Sequence, residues 1–183
     1  MNKTKLMGLA LVILLCAAGQ GLAQEQSDWG GKKAEQVDTL LHERIEHMLQ
    51  GKESDWQLVA KSGPMDGSSR YKWELGEQSI FVSITHMASP EDAAKYLRHL
   101  LDVVSVPVSL GKENLGDEAY RSLIGGTAGI KFRKGNVVVT VKASPMDFAK
   151  VDHATVDWEA FSKSALKVAR RFAQHIADEI EGK

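Results

Sequence analysis

The strongest constraint on the fold of this 183-residue chain is a series of short runs in which apolar and polar residues alternate. In SRYKWEL, the residues Tyr71, Trp73 and Leu75 fall on one side of an extended strand, and SIFVSITH repeats the pattern from Ile80 to Ile84. Period-two alternation puts every apolar residue on the same face. The polar Gly-Glu-Gln stretch between the two runs is typical of a turn, so the region predicts an antiparallel hairpin with one buried face.

The same alternation occurs elsewhere in the chain. WQLVAK at Trp56–Lys61 precedes the first hairpin, and the second half offers the extended runs VPVSL, DEAYRSLI, GIKFRK and NVVVTVKA. Ile130 and Phe132 share one face of their strand, as do the alternate valines of the last run. The last two runs flank Lys134-Gly135, which predicts a second hairpin.

Three segments have helical periodicity instead. The first has apolar residues from Val37 to Met48 at spacings of three and four, and Gly51 follows as a stop signal. A second helix is predicted after Ser89-Pro90, where a serine cap and a proline at the first position favour helix initiation. The third begins near Asp157, and its apolar stripe comprises Trp158, Phe161, Ala165, Val168, Phe172, Ile176 and Ile180.

The pattern Ala-Ser-Pro-x-Asp occurs twice, at Ala88–Asp92 and at Ala143–Asp147. Each copy follows a predicted hairpin and precedes a helix, which favours two similar β-β-β-α units covering residues 52–105 and 106–183. The alternative is that Ser-Pro is simply common where a strand joins a helix. Both interpretations give one α+β domain over residues 32–183, with an N-terminal helix and an antiparallel sheet that carries helices on one face.

The first 23 residues have the pattern of a signal peptide. Lys3 and Lys5 precede an apolar run over residues 6–18, and the small residues Gly21 and Ala23 suit cleavage after Ala23. An uncleaved anchor is the alternative, but the run is shorter than the about 20 apolar residues that a spanning helix needs. We expect cleavage near Ala23, followed by a polar flexible leader over residues 24–31.

Cys16 is the single cysteine and lies within the predicted signal peptide. Because Leu15 precedes it, where a lipoprotein signal has a small residue, we do not expect a lipid anchor. A cleaved chain would therefore contain no cysteine and no disulfide. An export signal without disulfides favours a periplasmic or secreted bacterial protein.

The stretches LGDEAY and GIKFRKGNVVVTV, within Leu115–Val141, resemble a pattern of uncharacterised secreted bacterial domains. They are also similar to extracytoplasmic sensor-type and PsbP/Mog1-like α+β folds. The motifs that carry this resemblance are Gly-Asp-Glu-Ala before a strand and Phe-Arg-x-Gly-Asn before a valine-rich strand. The resemblance implies an α+β fold and an extracytoplasmic binding or accessory module, and it assigns no catalytic residues.

Motifs for catalysis or metal binding are weak in this sequence. In HERIEH, His42 and His47 are five residues apart, so on a helix their rings point about 140° apart and cannot share a zinc ion. His153 lies near acidic residues in an inserted loop, for which a hydrated loop is the simpler interpretation. The sequence contains no Gly-x-Ser-x-Gly motif and no phosphate-binding loop. We therefore assign no catalytic, cofactor or metal residues.

Two features are candidates for binding. His86 continues the apolar face of its strand and could line a pocket, although a boundary residue is the simpler interpretation. On the last helix a basic stripe, which could bind an anionic partner or simply be a solvated face, comprises Lys163, Lys167, Arg170 and Arg171.

These observations favour an exported, non-enzymatic binding or accessory module of the bacterial cell envelope. Its partner would be a small ligand or an envelope protein, with peripheral contact to an anionic membrane surface as a further option. The net charge of −1 argues against a nucleic-acid partner. Two alternatives stay open: a small periplasmic hydrolase or metal-dependent enzyme using His86 or His153, and an envelope assembly subunit.

Overall fold

The computed structural model describes residues 39–65, 67–103, 109–124, 126–145 and 156–182. The predicted signal peptide, the leader and His153 lie outside these residues. Three helices occur in the described part of the chain, α1 (Thr39–Lys52), α2 (Pro90–Asp102) and α3 (Trp158–Glu181). Its strands are β1 (Gln57–Met65), β2 (Ser68–Leu75), β3 (Gln78–His86), β4 (Ser109–Glu113), β5 (Glu118–Ile124), β6 (Thr127–Lys134) and β7 (Val137–Ser144).

The strands form one antiparallel sheet in the order β1-β2-β3-β7-β6-β5-β4. The first three strands and the last four are each consecutive along the chain, and the two groups meet where β3 pairs with β7. In this central pair Val82 lies opposite Val141 and Ile84 lies opposite Val139. The predicted α+β class and antiparallel sheet are confirmed, and β3 and β7 are the strands that join the two halves.

Two similar units are visible in this topology, each with three consecutive strands followed by a helix. The second unit has β4 as an additional strand at its start. In both units the turn between the last two strands contains a glycine with positive φ, Gly76 at 59° and Gly135 at 56°. Glycine adopts this left-handed conformation without the strain that a Cβ would cause.

The two Ala-Ser-Pro patterns do not lie at equivalent points of these units. Ser89 is the N-cap of α2, where its hydroxyl accepts a hydrogen bond from the Asp92 amide at 3.1 Å. Ala143, by contrast, still lies within β7, opposite Ile80. Among the described residues, the next helix is α3, which begins at Trp158 with Asp157 as its cap. Ser89 and Ser144 therefore differ in local structure, since Ser89 caps a helix and Ser144 ends a strand.

The main core lies between one face of the sheet and the helices α1 and α3. Trp73, Ile80 and Phe132 point to this face and are fully buried. Phe172 of α3 packs edge-on against Trp56, with ring centres 5.3 Å apart. The alternation in the sequence therefore predicts correctly which side of each strand is buried.

Helix α2 packs on the opposite face of the sheet, so the expectation that all helices share one face is wrong. Ala93 and Leu97 of α2 form a small second core with Met87 and Val138. Val138 lies between Val137 and Val139, whose side chains point to the main core, so its own side chain points the other way. The run of consecutive valines thus gives β7 an apolar surface on both sides of the sheet. Helix α2 covers the side to which Val138 points.

Helix α1 buries a side chain that the sequence places on its polar flank. His42 is 1% exposed, beside the core residues Leu41, Ile45 and Leu49. Its Nδ1 atom is hydrogen-bonded to the Ser69 hydroxyl of β2. The buried stripe is therefore rotated toward His42, because the Ser69 hydroxyl on the sheet is a hydrogen-bond partner for the Nδ1 atom of the imidazole.

A membrane-spanning helix is not found in the described ranges, since none of their helices is both long and apolar enough.

Candidate functional site

The side of the sheet opposite α1 and α3 is referred to as the outer face. Across its middle, Lys72 of β2 lies opposite Phe81 of β3, which in turn lies opposite Lys142 of β7. These three residues, the Lys-Phe-Lys row, project from adjacent strands on the same side because directly paired residues share a face. Phe81 is 48% exposed, whereas the neighbouring Ile80 and Val82 are buried in the main core. An exposed aromatic ring therefore stands between two amines.

The charge around this row is mainly positive. The Lys72 amine lies 5.5 Å from the centre of the Phe81 ring and 2.5 Å from a carboxylate oxygen of Glu74. Arg70 and Lys142 are exposed, and neither forms an ion pair with any described residue. Within the described ranges these two cations thus lack a carboxylate partner. Lys142 lies directly opposite Phe81, and Arg70 lies opposite Ser83, two positions along β3 from Phe81. Such a surface attracts anions.

The rest of this part of the outer face consists of small hydroxyl side chains. Ser83 lies between Arg70 and Thr140 in the next row of paired residues, and Ser79 lies two positions before Phe81 on the same strand. All three hydroxyl residues are half-buried. Each hydroxyl can donate and accept hydrogen bonds, so the surface around the ring can bind polar groups of either kind.

Helix α2 borders this surface on the β6 side. Lys131 of β6 lies opposite Thr140 and is 9% exposed, and its amine donates a hydrogen bond to the Leu100 carbonyl in the last turn of α2. Burial lowers the pKa of Lys131, and the charge of Lys142 lowers it further. The amine of Lys131 therefore fixes the helix against the sheet, while Lys142 stays available at the surface.

The predicted basic stripe of α3 lies on a different side of the molecule. It contains Lys163, Lys167, Arg170 and Arg171, which the sequence singles out as a partner surface. Three of these form ion pairs with carboxylates of the chain itself: Lys163 with Glu159, Arg170 with Glu113, and Arg171 with Glu53, each at 2.6 Å. Lys167 is exposed and forms no ion pair within the described residues. Most of the charge of the stripe is therefore neutralised locally.

His86 lies at the end of β3, opposite Val137, on the side of the sheet that faces the main core. The alternation in the sequence predicts this side correctly. Its backbone amide donates to the Gly67 carbonyl at 2.7 Å, and its Nδ1 atom is buried without a hydrogen bond. The residue is half-buried.

Through its carboxylate, Asp117 connects two motifs of the sequence, Gly-Asp-Glu-Ala at the start of β5 and Phe-Arg-x-Gly-Asn before β7. Its carboxylate accepts hydrogen bonds from the Gly135 amide at 2.7 Å and from the Arg133 guanidinium at 3.0 Å, and it lies 3.3 Å from the Lys134 amine. Gly-Asp-Glu-Ala and Phe-Arg-x-Gly-Asn are therefore in direct contact. Burial alone would raise the pKa of Asp117, but the Gly135 amide together with Lys134 and Arg133 lowers it overall. These residues connect the β4–β5 loop to the β6–β7 turn.

Titratable side chains elsewhere are dispersed. Within the part of the chain that the structure describes, no three His, Cys, Asp or Glu side chains are grouped in a way that could hold a metal ion. A shallow depression too small to hold a ligand lies between Trp56, Ile80, Ala143 and Val168 at the end of the main core.

Sequence reasoning missed the outer-face row altogether. One signal was present: Phe81 is a large apolar residue at a position of β3 whose neighbours on the same side, Ser79, Ser83 and Thr85, are polar. The two lysines come from distant parts of the chain, so their position beside the ring follows only from the strand register.

By its fold, the chain is an α+β protein with an open antiparallel sheet and helices on both faces. No family model matches it, and no curated protein matches it. Among solved structures it is similar to a protein titled a GTP binding regulator from Thermotoga maritima, at 16% identity and a TM-score of 0.41, covering 72% of this chain and 89% of that chain. A putative uncharacterized protein from Mycobacterium smegmatis is 13% identical, with a TM-score of 0.36 over 71% of this chain and 96% of that chain. Likenesses this distant carry no argument about function.

Proposed function

We propose that this protein is an exported, non-enzymatic binding module of the bacterial cell envelope, and that it binds an anionic ligand on its outer face. The observation that carries the proposal is the Lys-Phe-Lys row, with Arg70 beside it. The row combines a half-exposed aromatic ring with amines on both sides, and Lys142 and the neighbouring Arg70 are exposed. Exposed aromatic and cationic groups of this kind are typical of binding surfaces.

The electrostatic reason is the difference between the outer face and the α3 stripe. On α3, three of the four cations already have carboxylate partners in the chain. On the outer face, Arg70 and Lys142 have none among the described residues. An anion gains more from an unpaired cation than from one that must first give up an existing partner. We therefore place the ligand on the outer face and not on α3.

Export is part of the same proposal and is supported by the sequence of residues 1–23. A basic start, an apolar run and small residues before Ala23 are the features that signal peptidase requires. The protein would then act in the periplasm or outside the cell. The resemblance of Leu115–Val141 to PsbP/Mog1-like extracytoplasmic domains belongs to this proposal and agrees with a binding role.

Charge reversal tests the location of the site. The full chain is expressed in a bacterium and purified in the form that the cell produces after any processing. Its binding to immobilised polygalacturonate, polyphosphate and phosphatidylglycerol vesicles is measured by biolayer interferometry at low salt. The variant Arg70→Glu/Lys142→Glu should lose binding to whichever probe the parent protein binds, because repulsion replaces attraction at two positions.

The matched control is Lys163→Glu/Lys167→Glu, which makes the same change of charge on α3 and should keep at least half of the affinity. If the α3 variant loses binding and the outer-face variant keeps it, the site proposed here is wrong. If both variants lose binding to the same extent, the interaction depends on charge in a nonspecific way, and this result would also contradict the proposal.

A further inference from the structure

The outer face presents Phe81 as an exposed aromatic ring between two neighbouring strands. Neighbouring strands of a sheet lie about 4.8 Å apart, so the three side chains of the Lys-Phe-Lys row span about 10 Å. Phe81 remains 48% exposed, and the helix on this side, α2, packs on β6 and β7. A ligand can therefore rest against the ring and continue beyond it in either direction. This shape suits an extended chain-like ligand better than a small molecule, which binds in an enclosing pocket.

The ring and the hydroxyl groups beside it suit a sugar. One side of a pyranose ring presents C–H groups that pack on an aromatic face, while its hydroxyl groups point outward around the rim. Ser83 and Thr140 lie beside Phe81 in the neighbouring row and can both donate to and accept from such hydroxyls. The Lys72 amine lies over the Phe81 ring, 5.5 Å from its centre, so a stacked sugar would use the exposed part of the ring that this amine leaves open.

Arg70 and Lys142, which form no ion pair with any residue in the described ranges, favour a sugar that carries acidic groups. Arg70 offers a guanidinium that can bind a carboxylate with two parallel hydrogen bonds, and Lys142 offers an amine on the other side of Phe81. We infer that the outer face binds an acidic polysaccharide, with one sugar stacked on Phe81 and its carboxylate groups paired with Arg70 and Lys142. This inference rests on the proposed function and names the ligand class of the same site.

Two other anionic partners fit the surface less well. Binding of single-stranded nucleic acid uses several aromatic rings for successive bases, whereas Phe81 is the exposed ring of this row, and the chain has a net charge of −1. Binding to a bilayer requires an apolar surface that enters the headgroup region. Here the ring is surrounded by hydroxyl and amine groups on a flat sheet.

The inference is tested by isothermal titration calorimetry of the processed protein with oligogalacturonate, with neutral dextran as the uncharged polymer. We expect binding to oligogalacturonate that weakens with added salt, and no binding to dextran. Phe81→Ala should lower the affinity about tenfold and Phe81→Trp should retain it, since the second substitution keeps a stacking surface. Lys167→Ala on α3 should change the affinity by less than about twofold.

Further probes separate the outcomes. Phosphatidylglycerol vesicles and an oligothymidylate are titrated in parallel, and thermal unfolding shows that each variant is folded. If vesicles or the oligonucleotide bind in a way that Arg70→Glu/Lys142→Glu abolishes, while oligogalacturonate does not bind, the polysaccharide inference is overturned and the proposed anionic site stands. If no probe binds in an outer-face-dependent way, both are overturned. Binding of oligogalacturonate that is unchanged by Phe81→Ala also overturns the stacking inference.

Discussion

At the scale of single residues, Glu53 carries a carboxylate that is almost fully buried. Its carboxylate is 5% exposed and accepts two hydrogen bonds from the Arg171 guanidinium, at 2.6 and 2.7 Å, while His175 lies 3.3 Å away. A buried carboxylate is tolerated because these donors replace its hydration. The residue follows α1 directly, so the contact joins the end of α1 to α3.

Replacing Glu53 with glutamine should lower the free energy of unfolding by about 1–3 kcal/mol, because one charge-assisted hydrogen-bonded pair is lost. The lower part of this range is expected, since Arg171 is 46% exposed and can regain water. Urea unfolding at neutral pH measures the change. Glu159→Gln is the matched control: its pair with Lys163 is exposed on both sides, and we expect no measurable change. Equal losses in the two variants would contradict the special role of Glu53.

At the scale of elements, the edge strand β4 is connected to α3 through one carboxylate. Glu113 accepts hydrogen bonds from Arg170 at 2.6 and 2.9 Å and from Arg121 at 3.0 Å. The Arg170 hydrogen bonds hold the pKa of Glu113 below its ordinary value of 4.5, against a smaller opposite effect of burial, and Arg121 adds to the lowering. A folded pKa below the unfolded one means that the ionised form stabilises the fold.

This stabilisation should be complete above about pH 5 and should disappear as the pH falls below 4.5 through the folded pKa of Glu113. Glu113→Gln removes it at every pH. The difference in unfolding free energy between parent and variant should therefore be constant from pH 7 to about pH 5 and shrink below pH 4.5. Urea unfolding at a series of pH values measures this, and a difference that stays constant down to pH 3 would show that Glu113 keeps an ordinary pKa.

The elements also show how much of this protein can be predicted from its sequence. The strands β2, β3, β6 and β7 are predicted within two residues, because alternation between buried and exposed positions is a local property. The start of α3 is predicted because Asp157 caps it. The side on which α2 packs is not predictable from the sequence. Val138 is one of several consecutive valines, and only the strand register shows that its side chain lies on the outer face.

The candidate site is less predictable than the fold. His86 is placed correctly on its strand face. In the Lys-Phe-Lys row, Lys72 and Phe81 belong to the predicted hairpin, but Lys142 is distant in sequence and reaches the row only through the pairing of β3 with β7. Similarly, the partners of Arg170 and Arg171 lie on β4 and after α1, so a helix-surface pattern alone cannot reveal that these cations are neutralised. Non-local pairing thus decides which charges are available for binding.

At the scale of the whole molecule, the two halves share one ladder at the centre of the sheet. β3 and β7 pair over their full lengths, from Ser79 opposite Ser144 to His86 opposite Val137. Each of these strands has a hydrogen-bonded neighbour on both sides, and their inward side chains belong to the main core. Neither half can therefore lose its last strand without exposing the core of the other.

Native-state hydrogen exchange should consequently show β3 and β7 as the slowest strands, exchanging with the same opening free energy, while β1 and β4 exchange faster. The reason is that opening either central strand requires global unfolding, whereas an edge strand can separate alone. Mass spectrometry of peptic fragments, or amide NMR, would measure the rates. Slower exchange throughout residues 109–144 than throughout residues 57–86 would instead show that the halves unfold separately.

The form of the two edges has a consequence for behaviour at high concentration. β1 has register shifts between Leu58 and Ala60 and between Ser62 and Met65, and Pro64 lacks the amide hydrogen that a further strand would require. β4 is only five residues long. A strand of a neighbouring molecule could therefore form only an interrupted set of hydrogen bonds with β1 and only a very short set with β4. Concentrated solutions should resist the growth of ribbons by lateral addition of molecules, even though the sheet itself is open.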